Sequence, residues 1–274
     1  MDDASRRALP SMLYRPPSFF IRTLSSSLIN LMRIQLFVTC MIDALYPDIG
    51  EDVVTVLERA GVTVEVPPGQ TCCGQPAFNG GFLDEAREMA LHFLDVFADT
   101  EGPIVSPSGS CAAMVVHHYP ELFADDPENL ARAEAVAARV REFSQFLVDD
   151  LGLTSAGGVP GSYTYHPSCH LTRELGVRGK AELLLDNIPG AERRPLPDAE
   201  ACCGFGGLFA VKMPEVSTAM MNHKLDTIAE SGAETCVVCD ASCMTHLNGG
   251  LIQQGKKPVV KHLAQVLAEG EQES

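Results

Sequence analysis

The sequence predicts an α/β fold made by tandem duplication of a cysteine-rich module, each copy carrying a largely parallel sheet flanked by helices. Three observations predict it. A doubled cysteine followed by glycine occurs at 71–77, "TCCGQPA", and again at 201–207, "ACCGFGG". Short β-rich runs alternate with longer helical stretches along the chain, the pattern of parallel α/β layers. The flanking cysteines also recur at nearly constant separations.

The repeat is the strongest of the three. Cys40 aligns with Cys169, the pair Cys72–Cys73 with Cys202–Cys203, and Cys111 with Cys243. From lone cysteine to pair the separations are 32 and 33 residues; from pair to last cysteine they are 38 and 40. The flanks agree as well: "SPSGSC" matches "VCDASC", and "EFSQFLVDDLG" matches "KHLAQVLAEG". Chance supplies one such coincidence, not the set. Folded sequence is expected to begin at "MRIQLFVTC", which leaves 1–31 as an N-terminal extension outside the core. The modules then span 32–155 and 160–270, joined at the Gly-, Ser- and Pro-rich stretch "LTSAGGVPGS".

Within the halves, strands are expected at "IQLFVT", "VTVEV", "PIVS", "SYTYH", "TCVVC" and "KPVVKH". Helices are expected over Glu51–Ala60, Leu83–Asp99, Pro127–Leu151 and Pro214–Ser231. Gly61 and Gly232 stand in the helix-stop position, where a left-handed residue ends the last turn. Cys40, Cys111 and Cys169 each fall where a strand gives way to a loop. In parallel sheets those strand ends share one edge, so cysteines distant in sequence can converge there.

Composition narrows the function. A net charge of −16 argues against nucleic-acid binding, which needs basic surface. No apolar run reaches the roughly 20 residues that span a bilayer, so no transmembrane segment is expected and the localisation expected is cytoplasmic. Residues 1–33 carry five arginines and a serine-rich run without the apolar core or cleavage site of a signal peptide, and only faintly resemble a transit peptide. Met32 is a candidate start. Ten cysteines in a long, helix-rich chain, clustered as CC and CVVC, point to metal rather than to a disulfide framework.

Adjacent cysteines suit one metal chemistry better than another. A single tetrahedral zinc prefers ligands two to four residues apart. In an iron–sulfur cluster neighbouring sulfurs can bind different irons, and thiolate is the usual ligand. Gly74 or Gly204 can adopt the positive φ that turns both sulfurs toward one object. Spacing therefore favours iron–sulfur, with structural zinc as the alternative.

The whole motif set resembles the cysteine-rich CCG domain family, which includes the cluster-bearing chain of heterodisulfide reductase, glycolate oxidase iron–sulfur subunits and lactate-utilisation iron–sulfur proteins. "FVTCMIDALYP", "CCGQPAFNGG", "SPSGSC", "YHPSCH", "CCGFGGLFAVKM" and "DASC" look like landmarks of the lactate-utilisation branch, from about Met32 to Leu267. The resemblance implies an iron–sulfur electron-transfer subunit of a complex oxidising L-lactate to pyruvate. Glycolate oxidation and disulfide reduction at a cluster are the alternatives. It implies an iron–sulfur cluster of the [4Fe–4S] kind, one per module, held by Cys40, Cys72, Cys73 and Cys111 and by Cys169, Cys202, Cys203 and Cys243. The partners it implies are a ferredoxin-type iron–sulfur protein and a small third subunit.

The sequence departs from the five-cysteine pattern of the family. Ser108 and Asp240 stand where a further cysteine is expected, three residues before Cys111 and Cys243, and their oxygens are candidate fifth ligands. Cys236 reads as a buried structural cysteine, and Cys239 is left open between ligand and core. His166 and His170 bracket Cys169, and His117 and His118 follow Cys111; hydrogen bonding or surface roles compete with iron ligation or proton transfer for each. Arg173 and Lys212 are candidate counter-charges or ordinary solvated side chains. The "GFGG" after Cys203 lacks the G-x-G-x-x-G spacing of a dinucleotide site.

Overall fold

The structure is a computed structural model that describes residues 32–257 and 259–270; the expected extension over 1–31 lies outside the described residues. Strands β1 (Arg33–Leu36), β2 (Thr63–Glu65), β3 (Ile104–Ser106) and β4 (Val140–Glu142) form one parallel sheet in the order β2-β1-β3-β4. Strands β5 (Gly161–His166), β6 (Ala191–Arg193), β7 (Thr235–Val238) and β8 (Val260–His262) form a second in the order β6-β5-β7-β8. The two orders are the same, as the internal repeat requires. The central strands are buried on both faces, and β3 and β7 read as short apolar runs for that reason.

The connections leave β1 and β3, and likewise β5 and β7, toward opposite sides of their sheets. That creates a crevice at the carboxyl ends of the central strands. Cys40, Cys111, Cys169 and Cys243 sit in or beside the loops and helices that follow these four strands. The Pro214–Ser231 helix has the bounds expected, ending at Gly232 with φ 63°. The Leu83–Phe97 helix ends two residues earlier than expected, and the Pro47–Arg59 helix starts four residues before Glu51, with proline in its first turn.

The sequence predicts one helix over Pro127–Leu151, where the chain makes three elements. The Pro127–Ala137 helix stops, β4 follows, and a short helix with a π-turn then runs to Asp150. "VREFSQFL" is rich in helix-compatible residues, and three residues of strand carry almost no periodic signal. Pairing of Ile104, Val105 and Ser106 with Val140, Arg141 and Glu142 decides the conformation instead. The matching run "KPVVKH" does read as a strand, so the repeat itself held the missing information.

The halves exchange their last helices. Leu263–Ala268, from the second half, packs on Pro47–Arg59 of the first, where Arg59 donates to the carbonyls of Leu267 and Ala268, both at 3.2 Å. Reciprocally, the segment after β4 packs on Lys180–Asp186, and Lys180 pairs with Asp149. One apolar cluster accordingly runs through both halves, from Ile34 and Val53 to Tyr165 and Leu267. Burying this cluster from both sides fixes the two sheets relative to each other.

Candidate metal centre

Each doubled cysteine is held in a turn that only glycine fits. Gly74 has φ 85° and Gly204 has φ 89°. A Cβ on Gly204 would lie 2.6 Å from the Ser217 carbonyl oxygen and 2.9 Å from the Met220 Cβ; one on Gly74 would lie 3.3 Å from the Met89 Cβ. The turns are pinned from behind by different groups. The Tyr119 hydroxyl donates to the Cys73 carbonyl at 3.0 Å, and the Ser217 hydroxyl donates to the Gly204 carbonyl at 2.8 Å.

The cysteines fall into two chains of neighbouring sulfurs. Cys40, Cys72, Cys73 and Cys111 interact in that order, and so do Cys169, Cys202, Cys203 and Cys243. Cys203 and Cys243 Sγ stand 3.1 Å apart. Within each chain the first sulfur of the pair is the acceptor. Hydrogen bonds from Cys40 and Cys73 pull Cys72 down to about 3. Hydrogen bonds from Cys169 and Cys203, with help from the Gly204 N–H at 3.3 Å, pull Cys202 down to about 2. The donors Cys40 and Cys169 are pushed up, chiefly by those same bonds, and so are Cys73 and Cys203. Cys72 and Cys202 are thus held as thiolates, while Cys40, Cys73, Cys169 and Cys203 keep their protons until a cation displaces them.

All eight of these cysteines line a single cavity of about 860 Å³, including the part open to solvent. The repeat leads one to expect two separate pockets; the exchange of helices draws them into one cleft between the sheets. Asp240 closes its floor. Its carboxylate accepts from the Ser108 hydroxyl at 3.0 Å, the Ser110 hydroxyl at 2.9 Å, the Ser110 N–H at 2.9 Å and the Ser242 hydroxyl at 3.2 Å. Both positions expected to supply a fifth ligand thus bind each other across the halves. Ser108 is also the N-cap of the Gly109–Ala113 helix, accepting from the Cys111 N–H at 3.3 Å.

The other candidates separate cleanly. Cys236 is buried in β7, and Cys239 is buried with its sulfur facing the Tyr165 hydroxyl at 3.6 Å; neither lines the cavity. His170 lines it and faces Glu174 at 3.6 Å. His118 pairs with Glu121 and Glu174 outside it. Arg173 donates to the Glu200 carbonyl, and Lys212 lies over the Phe82 ring. His166, at the end of β5, is fully buried, and neither ring nitrogen has a hydrogen-bond partner among the described residues. The Ala199 backbone approaches the ring without reaching the geometry of a hydrogen bond. Burial first, then the Lys224 ammonium, pushes the imidazole down to about 4. Lys224 had no signal in the sequence beyond its place on the Pro214–Ser231 helix. It is fully buried and donates to the carbonyls of Asp198 and Ala199 at 2.7 and 3.3 Å, bracing the loop that leads into Cys202.

The donor set fits an iron–sulfur cluster on this geometry. Four sulfurs per set run along a shared wall, each doubled cysteine sits in a glycine turn, and a backbone N–H points at Cys202 Sγ. Fold and site together define a class: duplicated parallel α/β proteins whose halves aim cysteine turns into one cleft. A model of the CCG cysteine-rich domain matches residues 34–116 and 163–248, and the chain belongs to that family. Its relatives include lactate utilization protein A of an Exiguobacterium species, 46% identical over 239 residues, covering 86% of this chain and 97% of the relative. The protein of the same name from Bacillus cereus is 45% identical over 237 residues, covering 86% and 98%. Lactate utilization protein A 2 of Bacillus mycoides is 44% identical over the same length and the same shares. Among the described residues no helix is long and apolar enough to cross a membrane.

Proposed function

We propose that the chain is the iron–sulfur electron-transfer subunit of a complex that oxidises L-lactate to pyruvate. The observation that carries this reading is the meeting of two four-cysteine sets in one cleft. Lactate gives up two electrons and two protons on becoming pyruvate, and a cluster in each set would carry one electron of the pair. The chain's own part is to hold the thiolates. Cys40, Cys72, Cys73 and Cys111 serve the first centre, and Cys169, Cys202, Cys203 and Cys243 the second. The Gly204 N–H and the buried Lys224 ammonium offset negative charge at the second centre. The names of the relatives support lactate as the substrate of the system. A ferredoxin-type iron–sulfur protein and a small third subunit complete the complex on this reading.

The opening of the cleft to solvent supports a second reading, disulfide reduction at a cluster by this chain alone. One experiment separates them. In the anaerobically isolated complex, L-lactate should bleach the visible absorbance of this chain, glycolate should not, and the isolated chain should stay oxidised with either. Bleaching by glycolate in place of lactate would reassign the substrate. Reoxidation of the dithionite-reduced isolated chain by an organic disulfide at catalytic rates would favour the second reading. No response to lactate with every partner present would overturn the first.

A further inference from the structure

The two halves match in their cysteines and differ in what stands behind them. Counting back three residues from the lone cysteine gives Phe37, just after β1, in the first half and His166, the last residue of β5, in the second, each fully buried. The contacts of the two turn glycines fix a second equivalence. Gly74 faces Ala86 and Met89, Gly204 faces Ser217 and Met220, so Phe93 corresponds to Lys224. Phe37 and Phe93 pack edge to face with ring centroids 4.8 Å apart. In the second half that aromatic pair is replaced by an imidazole and an ammonium.

The ammonium is satisfied by two carbonyls; the imidazole is not satisfied at all among the described residues. A buried ring with two orphaned nitrogens gives up the hydrogen bonds it makes in water, so an apolar residue would suit the place better unless the ring has a ligand. A ligand position is at hand. One ring nitrogen of His166 and the sulfurs of Cys203 and Cys243 all lie within 4.8 Å of one another, and all three residues are buried. The first half has no nitrogen at this place, because Phe37 fills it.

We propose that His166 is a nitrogen ligand of the metal centre in the second half, which makes the two centres chemically unequal: sulfur alone in the first, sulfur and one imidazole in the second. The proposal deepens the electron-transfer reading and rests on it for the kind of metal, though not for the presence of one. Asp240 is engaged by the serines of the other half, and the additional donor comes from the opposite side of the second set, before Cys169 rather than before Cys243.

The test is pulsed electron paramagnetic resonance on the full-length, anaerobically purified protein, reduced with dithionite, with and without 15N-labelled histidine. The expected result is one strongly coupled nitrogen that changes with the isotope and is lost in H166F, which copies the first half. Retained circular dichroism shows that H166F is folded; should it not fold, the isotope shift in the unaltered chain decides alone. A spectrum with only weak backbone-type nitrogen couplings, or a strong one unchanged by the label, overturns the proposal. If the native chain lacks acid-labile sulfide, the electron-transfer reading fails and cobalt(II) becomes the probe. The d–d bands of cobalt bound to the metal-free chain should then move on H166F, and unmoved bands overturn the ligand assignment.

Discussion

Ser108 Oγ donates a 3.0 Å hydrogen bond to Asp240 Oδ1 across the two halves of the chain, 132 positions apart in sequence. Both residues stand where a further cysteine is expected, and together with Ser110 they tie the start of the Gly109–Ala113 helix to the start of Ala241–Gln253. The relationship turns two missing ligands into one clasp beneath the cleft.

The clasp predicts loss of stability without loss of metal. Asp240→Ala leaves the Ser108 hydroxyl, the Ser110 hydroxyl and the Ser110 N–H without their shared acceptor, and should destabilise the metal-free chain by roughly 3 kcal/mol. Ser108→Ala should cost about 1 kcal/mol. Urea unfolding measures both, and iron and sulfide content should stay at the unaltered level. Iron lost with stability intact would make these residues ligands.

The uneven sharing of protons among the sulfurs predicts an order of reactivity. In metal-free protein at pH 6, iodoacetamide should label Cys72 and Cys202 ahead of Cys40 and Cys169, although Cys40 is the most exposed of the four. Peptide mass mapping at short reaction times reads the order. Preferential labelling of Cys40 would show that exposure, not thiolate character, governs the site.

The two turn glycines should not be equivalent. Gly204→Ala drives a Cβ against a backbone carbonyl oxygen at 2.6 Å at a positive φ, a loss of about 3 kcal/mol or more. Gly74→Ala meets the Met89 Cβ at 3.3 Å and the Ala86 carbonyl oxygen at an ordinary 3.5 Å, and should lose about 1–2 kcal/mol, the cost of the left-handed backbone. Thermal unfolding of the two variants side by side checks the ranking.

Glu142 predicts a pH dependence. Burial pushes its carboxyl up to about 7, while its hydrogen bonds from Ser144 and the Gln145 N–H hold it partly back. The folded chain therefore binds more protons here than the unfolded one between the ordinary carboxylate range and pH 7, so this contribution to stability is present at low pH and is lost as pH rises through about 7. Glu142→Gln keeps an acceptor for the cap and should gain up to roughly 3 kcal/mol over the unaltered chain at pH 8 and little at pH 4. His262, the matching cap in the second half, is pushed down to about 4 by burial. Its contribution has the opposite sign, being lost as pH falls from about 6.5 toward 4. Urea unfolding at pH 4, 6 and 8 tests the pair; a gain that does not grow with pH would contradict the assignment.

Much of the fold was legible because duplication wrote it twice. The alternating strands and helices, the helix stops at Gly61 and Gly232, and the convergence of eight cysteines at strand ends all follow from local chemistry. β4 was not legible, since three residues of strand depend on pairing with β3 and carry no period of their own. The merging of two sites into one cleft was not legible either, because it comes from the Leu263–Ala268 helix crossing to the other half, a purely tertiary event. Lys224 was missed for the same reason: on a helix it looks like any solvated lysine until the Asp198–Ala199 loop folds over it. His166 was visible as a candidate beside Cys169, but its orphaned nitrogens are a fact of packing. The contrast of "YHPSC" with "FVTC" carries the same asymmetry in the sequence.

The most direct measurement is acid-labile sulfide and iron per chain in the anaerobically purified native protein, alongside Cys72→Ser and Cys202→Ser. The account predicts a brown native chain, with each variant keeping about half of its sulfide, because each removes a thiolate from one set and leaves the other intact. A colourless chain carrying zinc and no sulfide, or sulfide unchanged in both variants, would contradict it.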